Sequence, residues 1–592
     1  MRVYLLGASA LALLSAGAAH AVSFETLPAQ SAFEGLTAKP APADKGPRVA
    51  LSDQANSSLD SVGRSDPMPF APPPININTV LVSGFEGTSD YNSRALGAGL
   101  VPPDTMGAVG TTQYVQLING TFSVYNKATG ALATPRVRDN TFWQAAGGTS
   151  TGGDPRILFD TTTSRWLAVG FSTVGSTPNP SSATPYTQIT GLQVAVSATA
   201  DALGPWKSAS FTAYNGAGFG GAIADYPTLS ISGDAILIGT NNFAPATAGG
   251  AQGFRGTTLN VLNRSDVFTA AGPVLTSLKQ FVTPFNGATP DNGYAIQGVN
   301  SAAPNSTAHV IASSRDFYAN VFYDVNNAGT AGATQTASAI QAGGSFAFTD
   351  PLAVRQPVVG ANARVMTAGD TRTGSNAWEV NGRTYFATTV KVNGTDHDVV
   401  RITVMNSTTG LVLSQTDIGG GASDKFDYSY GSVGVNADGQ VVVGYNRSGD
   451  ITTGIAGRIS IFARSFNTNA NGTLQATSGE VLIKQSLVDE YHTGSAVGQA
   501  ASGRQRFGDY STVTVDPTDQ QRFWVIGEFA REYNTIANHP EGSGSGFGRW
   551  GTYIGQLQIG VVPEPATWAM MIGGFGFVGA AARRRRAGFA SA

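Results

Sequence analysis

The chain has 592 residues, 74 of them Gly, with 13% charged residues and no Cys, which excludes disulfides, thiol nucleophiles and thiolate metal sites. Its formal charge is -3, but without the terminal Arg2, Arg583 to Arg586 and Glu564 it holds 31 basic and 38 acidic residues, a net of -7. Such a body is repelled by nucleic acid and by anionic membranes, so neither is expected as its partner. The five His are not spaced as metal ligands, and no metal or other cofactor is expected.

At the N-terminus, Arg2 precedes an apolar run from Val3 to Ala19 and the small-x-small triplet Ala19-His20-Ala21. This is the pattern of a secretory signal peptide, residues 1–21, cut after Ala21. The absence of Cys accords with export. Residues 22–78 are rich in Pro, Ala and Ser, include Pro72-Pro73-Pro74, and lack a sustained apolar period. They read as a disordered lead-in.

Ordered structure is expected from Thr79 to Phe85 onward. Short runs of Val, Ile, Phe and Tyr separated by Gly, Thr, Asn and Ser describe many short strands joined by turns. Four segments repeat one pattern, an alternating run, a polar turn and an apolar run ending near Gly: Asp154 to Phe171, Asp225 to Phe243, Asp427 to Asn446, and Asp509 to Phe529. Each reads as a β-hairpin. Weaker copies lie at Gly107 to Asn119, Ala308 to Val325, and Trp378 to Val390. Seven hairpins along one body predict an all-β propeller of about seven blades over residues 79–560, since stacked four-stranded units bury each other's faces. A pair of β-sandwiches is the other architecture that hairpins allow. Thr79 to Phe85 is placed to close the propeller beside Gly551 to Ile559.

The residues Pro102, Pro103, Asp104, Gly107, Val109, Gly110, Tyr114, Val115 and Asn119, followed by Gly153 to Arg156, Trp166 and Asp225-Tyr226-Pro227, resemble the opening of uncharacterised secreted propeller-like proteins. That resemblance implies fold and brings no catalytic residues.

Asp154, Asp225, Asp427 and Asp509 recur at strand entries, where Asp commonly initiates a turn through its own backbone. Were they to converge, cation or sugar-hydroxyl binding would follow. A sialidase-type enzyme on this fold needs an arginine cluster, for which Arg156, Arg364, Arg447 and Arg506 are available, but the usual Asp-box hairpin is missing from all four clear repeats. Asn467 to Thr473 echoes a calcium loop with Asn at every charged position, so a turn is expected there. No His-Glu-x-x-His or Gly-x-x-x-x-Gly-Lys motif occurs. In the Gly/Ser-rich stretch His539 to Tyr553, Phe547, Trp550 and Tyr553 are candidates for stacking on a sugar ligand.

The C-terminus carries an apolar run from Ala566 to Ala582, stopped by Arg583, Arg584, Arg585 and Arg586. As a helix it would be about 25 Å long, a short transmembrane span whose arginines stay cytoplasmic. Pro563-Glu564-Pro565, Trp568 and this arginine stop resemble the PEP-CTERM sorting tag of Gram-negative bacteria, also catalogued as an ice-binding-protein C-terminal motif. The resemblance implies residues 561–592 as a tag read by an exosortase-type protease, transient anchoring in the cytoplasmic membrane, and delivery to the cell surface or extracellular matrix, with extracellular polysaccharide as a partner. It gives an address and no activity. The expectation is a non-enzymatic binding or structural protein, with a sialidase-like, glycan-acting enzyme as the alternative.

Overall fold

The computed structural model describes residues 77–561 except for several interior segments, the longest being 179–186, 214–222, 244–253, 285–292, 489–505 and 533–548, together with His20–Ala21, which lies along the outer strand of the second blade. The signal-peptide run 1–19, nearly all of the lead-in and the expected span 566–582 lie outside the described residues. Among the described residues no helix is long and apolar enough to cross a membrane.

The described chain is a seven-bladed propeller. Blade 1 comprises Gly107–Val109, Gln113–Ile118, Thr121–Asn126 and Val137–Arg138; blade 2, Arg156–Asp160, Arg165–Ser172, Gly191–Ser197 and Pro205–Thr212. Blade 3 comprises Ser230–Ser232, Ala235–Phe243, Phe254–Asn263 and Lys279–Pro284. Blade 4 has Tyr294–Ser301, Thr307–Ser313 and Asn320–Asn326, edged by Thr334–Gln335 and Ala339–Ile340. Blade 5 runs Ala377–Val380, Arg383–Val392, Asp398–Asn406 and Val412–Ile418; blade 6 runs Asp427–Val435, Gln440–Ser448 and Ser460–Thr468, edged by Leu474–Ala476 and Val481–Lys484.

Blade 7 takes Thr512–Asp516, Asp519–Ala530 and Trp550–Val561 from the end of the body and its outer strand, Ile77–Ser89, from the beginning. Thr79 faces Ile559 and Phe85 faces Ile554, so the propeller closes where the sequence predicts, with the strands beginning at 77 and ending at 561.

Period-two alternation explains why the sheets stack. In blade 2, Trp166 and Ala168 pack toward blade 1 while Leu167 and Val169 pack toward blade 3. In blade 6, Val441 and Val443 face blade 5 and Val442 faces blade 7; in blade 7, Phe523 and Val525 face blade 6 while Trp524 and Ile526 face blade 1. Among the described residues, each neighbouring pair of blades shares one such cluster, and seven of them complete the circle. Each Val, Leu or Ile so buried contributes about 1.5–3 kcal/mol.

Four of the predicted hairpins and two of the weaker copies join an inner strand to the second. The copy at Ala308 to Val325 needs correction: it pairs Thr307–Ser313 with Asn320–Asn326, the second and third strands of blade 4. The inner strand there is Tyr294–Ser301, whose pairing skips a register step between Tyr294 and Gln297, so its pattern does not alternate. Successive strands are antiparallel, so all blade-to-blade connectors and second-to-third-strand loops open on one face, the strand-entry face. The short turns between first and second strands lie on the other.

Candidate functional site

A non-Gly residue with left-handed backbone recurs where inner strands begin: Asp104 (φ 51°), Asp154 (42°), Tyr226 (52°), Ala295 (49°), Tyr430 (54°) and Asp509 (91°). Such residues cost roughly 1 kcal/mol or more each. Here the kink carries the chain from a connector into the axial strand, and it aims neighbouring side chains at the strand-entry end of the axis. Blade 5 reaches the same place through Gly369, with φ 81°, just before Asp370 and Arg372.

The side chains gathered there form an alternating stack. The Arg156 guanidinium lies 3.5 Å from the centroid of the Tyr510 ring and 4.9 Å from that of Tyr226; Arg372 covers Tyr226 at 4.0 Å. The two tyrosine rings stand edge to face, 5.7 Å apart. Arg156 Nε donates to the Pro227 carbonyl at 2.9 Å, while its Nη1 is buried without a hydrogen-bond partner. Arg372 is held by Asp370 through two side-chain bonds, of 2.6 and 3.0 Å, and Arg506 by Asp509 at 2.5 Å. Cation-π contacts are worth about 2 kcal/mol when desolvated, as these are.

The blades are laced together at the same level. Thr105 Oγ1 donates to the Tyr510 carbonyl, the Tyr510 hydroxyl donates to the Pro155 carbonyl, and the Tyr226 hydroxyl to that of Thr373. Asn119 links Asp104 to Asp154, donating to the carboxylate of the first at 2.6 Å and accepting from the backbone N–H of the second.

Charge decides what this site can hold. Burial alone would lower the pKa of Arg506, but the carboxylates of Asp509, Asp104, Asp154 and Asp225 outweigh it and raise the pKa above the ordinary arginine value. Burial likewise opposes the charge of Arg372, and Asp370, Tyr226 and Asp509 overcome it, so its pKa stands well above that value. The Tyr510 phenol is pushed well above its usual range by burial and then by Asp104, against the opposing pull of Arg156. Five aspartates, Asp104, Asp154, Asp225, Asp370 and Asp509, thus surround three arginines. The cluster is net acidic and offers both acceptors and donors. Arg506 and Asp509, at 11% and 16% exposure, and the part-buried Asp225 are its accessible members.

The sequence candidates separate accordingly. Asp154, Asp225 and Asp509 gather around Arg506, with Asp104 as a fourth. Asp427 instead binds Arg355 at 2.9 Å and lies 3.5 Å from His397. Among the aspartates that accept from their own turns are Asp160 and Asp516, at the far ends of inner strands, and Asp370, which accepts from the Arg372 N–H. Among the arginines, Arg156 and Arg506 join the cluster; Arg447 packs over Phe426 and Phe462 and pairs with Glu480, and Arg364 lies outside the described residues. Arg372 was not singled out, although Asp370-Thr-Arg372 repeats the spacing of Asp154-Pro-Arg156. Among the described residues, no group of three or more His, Asp or Glu is arranged to hold a metal ion.

Of the aromatic candidates, Trp550 is buried and its indole donates to the Leu100 carbonyl at 2.9 Å. Tyr553 is half-buried beneath Lys484, and Phe547 lies outside the described residues. A cavity of about 220 Å³ between Glu86, Thr88, Asn92, Arg136, Arg531 and Thr552 is polar, but the lining side chains satisfy one another: Arg136 with Thr88, Arg531 with Glu86, and Asn92 with Ser89.

Residues 561–586 match the family described as the PEP-CTERM protein-sorting motif. The chain is exported and routed by an exosortase to the cell surface. Pro563, Glu564, Pro565, Trp568 and Arg583 to Arg586 fall within the match and outside the described residues. No curated protein matches the chain. Among solved structures, a protein of unknown function from Dyadobacter fermentans is 14% identical over 69% of this chain and 95% of its own, with a TM-score of 0.36. Trypanosoma rangeli sialidase in complex with the inhibitor DANA is 9% identical over 68% and 55%, at 0.30, and an endo-arabinase from Bacteroides thetaiotaomicron is 14% identical over 52% and 92%, at 0.25. These likenesses concern architecture and assign no residue a role.

Proposed function

We propose that this is a sorted surface protein whose propeller binds neutral polysaccharide, without cleaving it, at the strand-entry end of its axis. Sorting proceeds by export, brief retention through the 566–582 helix, and cutting near Pro563-Glu564-Pro565 by the exosortase. The observation that carries the binding reading is the alternation of carboxylates, guanidiniums and tyrosine rings around Arg156, Arg372 and Arg506. Sugar hydroxyls both donate and accept, so a cluster that exposes a guanidinium beside carboxylates, at Arg506, Asp509 and Asp225, suits them. An acidic glycan is disfavoured because five carboxylates face three guanidiniums within a body of net charge -7.

Binding is favoured over hydrolysis by the state of Tyr510. A phenol that donates its hydrogen bond to a backbone carbonyl, and whose pKa is raised by burial, is a poor nucleophile. The test is a glycan array of neutral, acidic and amino-sugar chains, with hydrolysis followed in the same samples. Signal on neutral chains with no product is expected. Signal confined to acidic chains, or released sugar, would overturn the reading, and the latter would establish the enzyme in its place.

A further inference from the structure

The closing blade fixes where both ends of the body leave the propeller. Ile77 and Val561 are partners at the end of the ladder between the outer and third strands of blade 7. The third strand runs from Trp550 on the strand-entry face to Val561 on the short-turn face, and the outer strand begins there at Ile77. The sorting motif begins at residue 561, so the tag leaves from the short-turn face, beside the point where the lead-in arrives. Trp550–Val561 is also flanked on both sides, by Ile77–Ser89 and Asp519–Ala530, and is locked in the sheet.

Only Val562 lies between Val561 and Pro563. Even fully extended, the two steps from Val561 to Pro563 span about 7 Å. The tag therefore starts within a short reach of the short-turn end of blade 7, and a membrane that holds the tag is held near that face. We infer that the short-turn face of blades 1, 6 and 7 faces the membrane while the tag is held there, and that the Arg156 cluster, on the opposite face, points outward. The inference rests on the sorting reading above. It explains how one chain is processed at one face and available to ligand at the other, before and after cutting. The neighbouring turns suit a close approach without insertion: they are short and polar, as in Asn436-Ala-Asp-Gly439 of blade 6 and Asn126-Lys-Ala-Thr129 of blade 1.

Because the chain has no Cys, single labels test this directly. Ala128→Cys and Ala437→Cys place a fluorophore on exposed short turns; Gln144→Cys and Ser423→Cys place one on exposed connectors of the strand-entry face. The full-length protein is reconstituted into phosphatidylcholine vesicles carrying a lipid-linked nitroxide quencher. Labels at 128 and 437 should be quenched at least twofold more than those at 144 and 423. A 20-residue Gly/Ser spacer inserted after Val561 should abolish the difference. Equal or reversed quenching in vesicle-bound protein overturns the orientation alone, as does an asymmetry that survives the spacer. Failure of the tagged protein to enter vesicles overturns the membrane tether and with it the inference.

Discussion

Tyr510, at the entry to blade 7, donates a hydrogen bond from its phenol to the carbonyl of Pro155 at the entry to blade 2, 3.1 Å away. The bond passes over blade 1 and joins blades that are not neighbours. Tyr510→Phe should therefore cost about 1–3 kcal/mol by leaving that carbonyl unpaired, while keeping the aromatic face under Arg156. Denaturant unfolding should show the loss, and glycan binding should survive. A variant as stable as the wild type would mean the bond contributes nothing.

Closure by Ile77–Ser89 makes an N-terminal strand part of the last blade. Without it, Leu81 and Phe85 are lost from the clusters that blade 7 shares with blades 6 and 1, and the third strand becomes an unpaired edge. Deleting residues 22–89 should give a protein that unfolds in a broad, early transition and aggregates. A peptide of residues 77–89 supplied in excess should sharpen and raise that transition. An unchanged melting curve in the deletion would contradict the closure.

That strand was legible because the apolar run Val80-Leu81-Val82, closed by Phe85, stands alone after a Pro-rich stretch. The inner strand of blade 4 was not, since YAIQGVNS buries Gln297 and breaks register, which hides its period. At the site, Asp154, Asp225 and Asp509 were visible as a repeat, but their convergence on Arg506 depends on closing the circle, which local pattern does not encode. Asp427 misled for a related reason: in Asp427-Tyr-Ser-Tyr430 the residue that takes the left-handed kink is Tyr430, three places on.

Asp516 ties blade 7 to blade 1. Its carboxylate accepts from Lys127 at 2.9 Å, from the Trp524 indole at 3.0 Å, and from Thr518. Burial would raise its pKa, but these partners prevail and hold it below the usual aspartate value. A carboxylate depressed in the folded state stabilises above its unfolded pKa of about 3.9, and the contribution is lost as pH falls through the lower folded value. Asp516→Asn should thus be less stable than the wild type by about 1–3 kcal/mol at pH 7, with the gap closing below about pH 4. Melting temperatures measured from pH 3 to 7 give the check, and a gap independent of pH would refute the assignment.

Replacing Pro563-Glu564-Pro565 by three alanines removes the backbone restriction that the two prolines impose on this sequence. Export should continue and the full-length chain should accumulate in the membrane fraction, seen by immunoblotting. Release equal to that of the wild type, or mature wild-type protein still ending in Arg583 to Arg586, would show that the tag is not processed there.

The central claim is that a net-acidic cluster of guanidiniums, carboxylates and tyrosine rings binds neutral sugar chains. The most direct measurement is the neutral-glycan signal of released wild-type protein beside that of Arg506→Gln, at 0.1 M and 0.5 M NaCl. At 0.1 M NaCl the Debye length is about 10 Å, so charge-driven binding would weaken markedly at the higher salt. The wild-type signal should persist at both salt concentrations and fall at least tenfold in Arg506→Gln. A signal that disappears at 0.5 M NaCl, or one that Arg506→Gln leaves unchanged, would contradict the account.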